Sequence, residues 1–287
     1  MTTIFRTPRP EWLKVRLPTG DNYFRLKGIM RDKGLHTVCE EARCPNVAEC
    51  WGQGTATFMI LGDVCTRSCG FCAVKTGLPQ SLDQNEPERV ADAVEAMGLR
   101  HAVITSVNRD ELPDGGSAIF ARTIEAVRQR MPKTTIEVLI PDFKGSRAAL
   151  ETVVRAGPEI LNHNVETVPR LCKRVRPGAS FAQSVELLKH AKQMTASIVS
   201  KTGIMMGLGE TRDEVEAVMR DLVDEARVDV FTIGQYLQPT REHLPVERFV
   251  NPDEFSELAA LGREIGFRHV EAGPLVRSSY HAANQIP

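Results

Sequence analysis

The sequence predicts an α/β protein, a partial (β/α)6 TIM-like barrel with N-terminal and C-terminal extensions. From Thr57 onward, six apolar runs alternate with helix-like segments. The runs are continuously apolar, which is typical of strands covered on both faces of a parallel sheet. The segments between them carry helix-capping residues. Because right-handed βα crossovers curl such units into a barrel, the carboxyl ends of the strands form the predicted active face.

The six predicted strands have ordinary strand lengths. In chain order they are TFMILG, HAVITS, TIEVLI, EILNHNV, SIVSKTGI and VDVFTIG. They divide the chain of 287 residues into three predicted parts. Residues 1–55 form an N-terminal extension, residues 56–272 the barrel and residues 273–287 a C-terminal tail.

The segments between the strands are predicted to be helices because of their end signals. Thr211 and Glu214 can form a capping box. A second helix begins at Pro252 and ends at Gly266, and residues 86–98 repeat this arrangement. These helices supply the α units of the predicted repeat.

Composition narrows the class of protein. Hydrophobic residues make up 42% of the chain, and the formal net charge of -1 provides no basic field for a nucleic acid. No run reaches the roughly 18 apolar residues of a membrane span, and residues 1–20 show no apolar signal core. Seven cysteines without a signal peptide favour metal binding over disulfides. We therefore expect a cytoplasmic protein without membrane or nucleic-acid partners.

Three cysteines follow the first predicted strand in the spacing C-x3-C-x2-C: Cys65, Cys69 and Cys72. A closed zinc site needs four ligands, and a four-iron cluster needs one ligand for each iron. Three cysteines leave one iron open, and an open iron can chelate a small molecule through an amine and a carboxylate. A zinc clip or a set of free thiols is the alternative interpretation.

The segment GDVCTRSCGFC, with Phe71 before its last cysteine, resembles the signature of the radical S-adenosylmethionine (SAM) superfamily. The resemblance implies a reduced cluster that passes one electron to bound SAM. It also implies that the resulting 5′-deoxyadenosyl radical removes a hydrogen atom from an unactivated carbon.

Other segments resemble SAM-binding elements of that superfamily. NRDELPDGGSAIF, which starts at Asn108, resembles the glycine-rich element that holds the methionyl amino group, and KTGIMMGLGE resembles the adenine-binding element. Glu166 follows the fourth strand, where a carboxylate accepts from ribose hydroxyls. Arg176 is expected either to pair with the methionyl carboxylate or to be a solvated residue at a helix end. With Phe71, these residues form the predicted cofactor-binding set.

Three further cysteines precede the barrel in the spacing C-x4-C-x5-C: Cys39, Cys44 and Cys50. Their segment has little apolar periodicity, so metal binding is expected to supply part of its folding free energy. Three thiolates again indicate an iron-sulfur cluster that lacks one cysteine. A zinc site that uses His36 is the alternative. The seventh cysteine, Cys172, is predicted to be a small, partly buried helix residue.

Four motifs together are similar to the lipoyl synthase family over nearly the whole chain: CEEARCPNVAECW, CTRSCGFC, KTGIMMGLGE and RSSYHA. The related biotin synthases are not known for the first or the last of them. The resemblance implies insertion of two sulfur atoms at C6 and C8 of an octanoyl chain on a lysine of a lipoyl carrier domain. Another radical SAM enzyme, an iron-sulfur electron carrier and a zinc-stabilised scaffold remain the alternatives.

The same resemblance implies two 4Fe-4S clusters and SAM as cofactors. The auxiliary cluster on the first triplet is the implied sulfur donor, with a serine of the RSSY motif as fourth ligand, for which we favour Ser279 over Ser278. The tail is then expected to fold back over the barrel mouth. The implied partners are an octanoylated carrier domain, of glycine cleavage H protein or 2-oxoacid dehydrogenase E2, and an electron donor such as ferredoxin or flavodoxin.

Overall fold

A computed structural model describes residues 9–14, 21–41, 44 and 46–285 of the chain. The expectation that the chain lacks a leader rests on residues 1–20, most of which lie outside the described residues. Within the described residues, no helix is long and apolar enough to cross a membrane.

The strands of the described chain are β1 (His36–Thr37), β2 (Thr55–Ile60), β3 (Val64–Cys65), β4 (Lys75–Thr76), β5 (His101–Ser106), β6 (Thr135–Leu139), β7 (Ile160–Asn162), β8 (Val199–Met206), β9 (Val230–Gln235) and β10 (His269–Gly273). The main sheet contains seven parallel strands and the short antiparallel strand β1, in the order β1-β2-β5-β6-β7-β8-β9-β10. A separate two-stranded sheet pairs β3 with β4. Among the described residues β1 and β10 are the edges of this sheet, so the barrel is partial, as predicted.

All six predicted strands are present, as β2, β5, β6, β7, β8 and β9. The structure adds β10, which the sequence analysis did not identify. Only Val270 of this edge strand is buried, and the strand therefore lacks the continuous apolar run that marks the others. A strand covered on one side only needs fewer apolar residues.

Helices connect the strands and cover the sheet. They are α1 (Asp21–Asp32), α2 (Val38–Glu41), α3 (Val47–Gly52), α4 (Glu86–Met97), α5 (Ser117–Arg130), α6 (Arg147–Arg155), α7 (Pro169–Val175), α8 (Phe181–Met194), α9 (Arg212–Ala226) and α10 (Pro252–Ile265). The predicted capping box of Thr211 and Glu214 begins α9. Gly98 ends α4 with φ 61°, and Gly266 ends α10. The helix-end predictions are thus confirmed.

The N-terminal extension packs into the same hydrophobic core as the barrel. Leu26, Met30 and Trp51 are almost fully buried in that core, and the Trp51 ring stacks on Tyr23 with ring centroids 5.4 Å apart. Burial of these apolar side chains therefore contributes to the folding free energy of this segment, in addition to any contribution from metal binding. The division at residues 55 and 272 stays a prediction.

Candidate active site

The second cysteine triplet lies on residues 64–76, a segment called the cysteine loop below. The loop follows the carboxyl end of β2 and is bracketed by the pairing of β3 with β4. The backbone N–H of Cys72 donates to the carbonyl of Cys69 (3.1 Å). The Cys65 Sγ accepts from the backbone N–H groups of Arg67 (3.4 Å) and Asn108 (3.3 Å). The loop is therefore folded around its thiols.

Arg67 lies between Cys65 and Cys69 and connects the cysteine loop to the loops that follow β5 and β6. Its guanidinium donates to both carboxylate oxygens of Asp110 (2.7 and 2.9 Å) and of Asp142 (2.8 and 2.6 Å). Arg67 and Asp142 are buried. Burial by itself raises the pKa of Asp142, but the hydrogen bonds and the positive charge of Arg67 outweigh it. The pKa of Asp142 is therefore below its usual value. The loop geometry is thus set by three barrel strands rather than by β2 alone.

The thiols of the cysteine loop are close enough to influence one another. Burial raises the pKa of Cys69 to about 12; Arg176 opposes this shift, and the neighbouring thiols of Cys72 and Cys65 add to it. Burial also raises the pKa of Cys72. Without a cation these groups carry their protons, so metal binding must release protons here.

Two predicted SAM-binding residues, Glu166 and Arg176, lie beside these thiols. Glu166 sits in a left-handed conformation (φ 66°) beyond β7, and burial raises its pKa against the opposing charge of Arg176. Arg176 is buried at the end of α7 and donates to the Val165 carbonyl (3.1 Å) and to the Ser184 hydroxyl (3.3 Å). The interpretation of Arg176 as a solvated residue is therefore wrong. Glu166 and the buried Arg176 are therefore close enough to Cys69 to influence its thiol.

Several buried polar atoms near the carboxyl ends of β5 and β7 have no hydrogen-bond partner within the described part of the chain. They include Asn108 Oδ1, Ser106 Oγ and Asn164 Oδ1. Buried polar atoms are nearly always paired in folded proteins. These atoms therefore suit a polar ligand such as a nucleoside with an amino-acid group, and the residues present fit SAM. Phe71 packs partly buried against the hydrophobic core.

The GLGE segment forms a tight turn after β8. The Glu210 carboxylate accepts from the backbone N–H groups of Gly207 (2.6 Å) and Leu208 (2.9 Å). Gly207 has φ 97°, and a Cβ there would lie 2.5 Å from the Arg248 carbonyl oxygen. The turn therefore requires glycine at 207. The Gly115-Gly116 pair precedes α5, where a Cβ on Gly116 would clash with the Leu61 side chain.

A loop that the sequence analysis did not connect with the site, residues 236–251, covers the cysteine loop. The Leu244 N–H donates to the Gly70 carbonyl (2.9 Å), and the His243 Nε2 lies 2.9 Å from the Cys72 carbonyl oxygen. The Tyr236 hydroxyl donates to the Leu244 carbonyl (2.7 Å). No sequence signal indicated the contacts of Leu244 with Gly70 and of His243 with Cys72, because they join segments more than 170 residues apart to backbone carbonyls.

The first triplet is assembled from α2, α3 and the chain between them. The Cys44 N–H donates to the Cys39 carbonyl (2.9 Å). Burial raises the pKa of Cys39 to about 12, with Cys44 adding to the shift and Thr57 opposing it. Burial raises the pKa of Cys50 to about 12 as well, and both other thiols contribute. The three cysteines are thus neighbours, as a shared cluster requires.

The C-terminal tail lies against this triplet, as expected. The Thr57 hydroxyl, which interacts with Cys39, also donates to the Ser279 hydroxyl oxygen (3.0 Å). The Asn46 side chain donates to the Leu275 carbonyl (2.7 Å). Within the described residues Ser278 makes no side-chain hydrogen bond, whereas Ser279 is bonded to Thr57.

A charged group of the same tail faces the triplet. Burial lowers the pKa of Arg277, and the nearby thiol of Cys44 opposes that shift.

His36, the residue of the alternative zinc site, lies 3.5 Å from the Glu41 carboxylate. No group of three His, Cys, Asp or Glu among the described residues is arranged to hold a single metal ion. A four-iron cluster instead binds each cysteine at a separate iron.

Two cavities flank the sheet at opposite ends. The larger, about 710 Å³, is lined by residues that precede β7 and β8, such as Pro158 and Ser197, so it lies away from the thiols. The smaller, about 260 Å³, is lined by Asp110, Gly115 and Phe143 at the carboxyl edge. Ligands of parallel α/β sheets bind at the carboxyl edge, so the smaller cavity lies on the side of the sheet where we expect the ligand.

Cys172 is a buried residue of the helix α7, as predicted.

Comparisons with known proteins agree with this geometry. Residues 59–222 match the model of the radical SAM superfamily, and residues 3–44 match that of the N-terminal domain of lipoyl synthase of the radical SAM family. The chain is 60% identical to lipoyl synthase of Rubrobacter xylanophilus over 98% of this chain and 87% of the relative. It is 57% identical to lipoyl synthase of Bacillus subtilis over 97% of this chain and 93% of the relative.

Solved structures show the fold alone. A crystal structure of methylornithine synthase has TM-score 0.56 and 16% identity, covering 89% of this chain and 82% of the other. SuiB of Streptococcus suis bound to precursor peptide SuiA has TM-score 0.60 and 12% identity, covering 86% and 56% of the two chains. Both support the partial barrel.

Proposed function

Because this chain belongs to the lipoyl synthase family of radical SAM enzymes, we propose that its two cysteine triplets hold two iron-sulfur clusters with different roles. The chain is a sulfurtransferase that inserts two sulfur atoms, at C6 and C8, into an octanoyl chain on a carrier protein. The number of clusters and the residues that hold each of them are our proposal.

Cys65, Cys69 and Cys72 hold the SAM-binding cluster, and the Arg67 contacts keep their loop at the barrel mouth. Arg176 would pair with the carboxylate of SAM, and Glu166 would accept from its ribose hydroxyls. When bound, this cluster and SAM supply the radical that removes hydrogen from C6 and C8, and the auxiliary cluster supplies the sulfur. The chain's own contribution is to orient these groups and to exclude water from the mouth.

Cys39, Cys44, Cys50 and Ser279 hold the auxiliary cluster. The observation that carries this assignment is the Thr57 hydroxyl, which contacts both the Cys39 thiol and the Ser279 hydroxyl. A hydroxyl oxygen is a hard ligand and iron-sulfur iron prefers thiolate, so Ser279 would be the weakest of the four ligands. A weak fourth ligand suits a cluster that is consumed as a reagent.

Anaerobic reconstitution of the full chain with iron and sulfide tests the function. We expect about eight irons for each chain, the sum of two four-iron clusters. With SAM, reductant and an octanoyl-lysyl peptide, mass spectrometry is expected to show a product with two added sulfurs. Zinc without iron, or 5′-deoxyadenosine without any sulfur product, contradicts the proposal.

Separate Ser279→Ala and Ser278→Ala variants test the fourth ligand. We expect Ser279→Ala to alter the Mössbauer signature of one cluster and to abolish sulfur insertion, with 5′-deoxyadenosine formation retained. Ser278→Ala is the matched control, since that side chain makes no hydrogen bond in the described chain. Equal behaviour of the two variants contradicts the assignment of Ser279.

The substrate is an octanoylated carrier protein. Glycine cleavage H protein and a 2-oxoacid dehydrogenase E2 are the proposed carriers, and ferredoxin or flavodoxin the proposed electron donor. Pull-down and turnover assays with each purified candidate distinguish them. The cytoplasmic location stays a prediction from cysteine usage.

A further inference from the structure

Four side chains fasten the C-terminal tail to the rest of the molecule: Glu49 of α3, Glu271 of β10, Tyr280 and His281. We call this group the tail clamp. The Tyr280 hydroxyl donates to the Glu49 carboxylate (3.2 and 3.3 Å). The His281 ring bridges two carboxylates, with Nε2 3.1 Å from Glu49 Oε1 and Nδ1 3.3 Å from Glu271 Oε1. One carboxylate thus contacts two consecutive tail residues.

The clamp is itself ordered from within the tail. The Tyr280 and His281 rings stack with centroids 3.8 Å apart. The Tyr280 N–H donates to the Arg277 carbonyl (2.9 Å), and the Gln285 amide donates to the Tyr280 carbonyl (2.8 Å). The chain around Ser279 therefore forms a compact turn from which the Tyr280 and His281 side chains reach Glu49 of α3.

Each end of the clamp adjoins a proposed ligand of the auxiliary cluster. Glu49 precedes Cys50 in α3, and Tyr280 follows Ser279 in the tail. The clamp is thus a second tether beside the contact of Thr57 with Ser279, and it links the helix that carries Cys50 to the residue next to Ser279.

We propose that Glu49 is a positioning residue of the auxiliary site, which places the Ser279 hydroxyl opposite the cysteine triplet by binding Tyr280 and His281. This inference rests on the proposed function for the role of Ser279. The tail is held on α3 by side chains that are not themselves proposed ligands.

The test uses the full chain with Glu49→Ala, Glu49→Gln and Tyr280→Phe. Hydrogen exchange of amides 276–285 is measured before and after reconstitution. We expect Glu49→Ala to accelerate tail exchange about fivefold, a modest factor because the Glu49 side chain is 46% exposed. Glu49→Gln keeps an acceptor oxygen and is expected to restore part of the protection. Tyr280→Phe removes one donor and is expected to have an intermediate effect.

Glu41→Ala is the matched control, because Glu41 is an exposed residue of α2 that pairs with His36, and within the described chain no hydrogen bond or ion pair joins it to the tail. We expect its tail exchange to equal that of the unchanged chain. Equal tail exchange in Glu49→Ala and Glu41→Ala overturns the proposal.

A second measurement separates this proposal from the proposed function. In Glu49→Ala we expect the Mössbauer signature of the auxiliary cluster to broaden, while that of the SAM-binding cluster stays unchanged. If Ser279→Ala leaves both signatures unchanged although Glu49→Ala frees the tail, the ligand assignment is wrong and the clamp stands. If Ser279→Ala changes the signature and Glu49→Ala leaves tail exchange unchanged, the clamp is wrong and the ligand assignment stands.

Discussion

The two cysteine triplets have the same number of thiols but are built in opposite ways. The triplet of the cysteine loop lies within eight consecutive residues, and its anchor, Arg67, stands inside it. Beside the first triplet lies a tail residue, Ser279, its proposed fourth ligand, which is 222 residues from its hydrogen-bond partner Thr57. One site is a loop fixed by neighbouring strand ends, and the other joins the two ends of the chain.

This difference fits the proposed roles. A site that is reused in each turnover benefits from a rigid frame, and the barrel supplies one through buried, charge-assisted hydrogen bonds. A site whose cluster is consumed needs a ligand that leaves and a segment that moves. Chain ends held by partly exposed contacts open at a lower free-energy cost than a barrel loop.

The largest expected effect is on the cysteine loop, from Arg67→Ala. The change leaves the buried Asp142 carboxylate unpaired, and we expect a loss of about 4 kcal/mol in the free energy of unfolding. Urea denaturation measures it. Arg67→Lys is expected to recover little, because one ammonium cannot form both bidentate pairs. Arg170→Ala, which breaks an exposed pair with Glu214, is the control with a much smaller expected loss.

Gly207→Ala tests whether the barrel mouth is rigid at the GLGE turn. The new Cβ meets the Arg248 carbonyl at a backbone angle that disfavours alanine, so we expect a loss of about 3 kcal/mol and weaker SAM binding. Calorimetric titration and urea denaturation measure the two effects. Gly28→Ala, in the helix α1 with open space around it, is expected to be neutral or slightly stabilising. Similar stability of both variants would show that the turn relaxes freely.

Acid is expected to destabilise the barrel through His163. Burial lowers the pKa of His163 to about 4, while the unfolded chain takes up this proton near pH 6.5, so the stabilisation is complete above about pH 6.5 and is lost as pH falls toward 4. We expect a loss of about 2 kcal/mol between pH 8 and pH 5. His163→Gln is expected to flatten this dependence, and the partly exposed His190→Gln is not. Unchanged pH dependence in His163→Gln contradicts this account.

Thr57→Val is expected to have the smallest effect, and only at the auxiliary site. It removes the hydroxyl that contacts Ser279 with little change in volume, for about 1 kcal/mol. Hydrogen exchange is expected to rise in the tail and not in the cysteine loop. Thr134→Val removes a comparable buried hydroxyl bond, to the Leu99 carbonyl, and is the control that leaves the tail unchanged. Faster exchange in the cysteine loop of Thr57→Val would mean that the two sites are coupled.

Sequence by itself determined the features that depend on local spacing. The six strands, the capping box at Thr211 and the ends of α4 and α10 follow from patterns within a few residues. The two cysteine spacings predicted two sites with an open position each. Local patterns suffice here because hydrogen bonding and side-chain period act over one or two turns of chain.

Tertiary structure alone decided the contacts between distant segments. Asp110 and Asp142 become partners of Arg67 only when the barrel brings three strand ends together. Lys201 and Glu137, on β8 and β6, form a fully buried ion pair that no local pattern indicates. The tail clamp likewise requires that Glu49 and Tyr280, 231 positions apart, meet in the folded chain. Such pairs depend on closing long loops, whose outcome is set by packing of the whole core and is not written in any short segment.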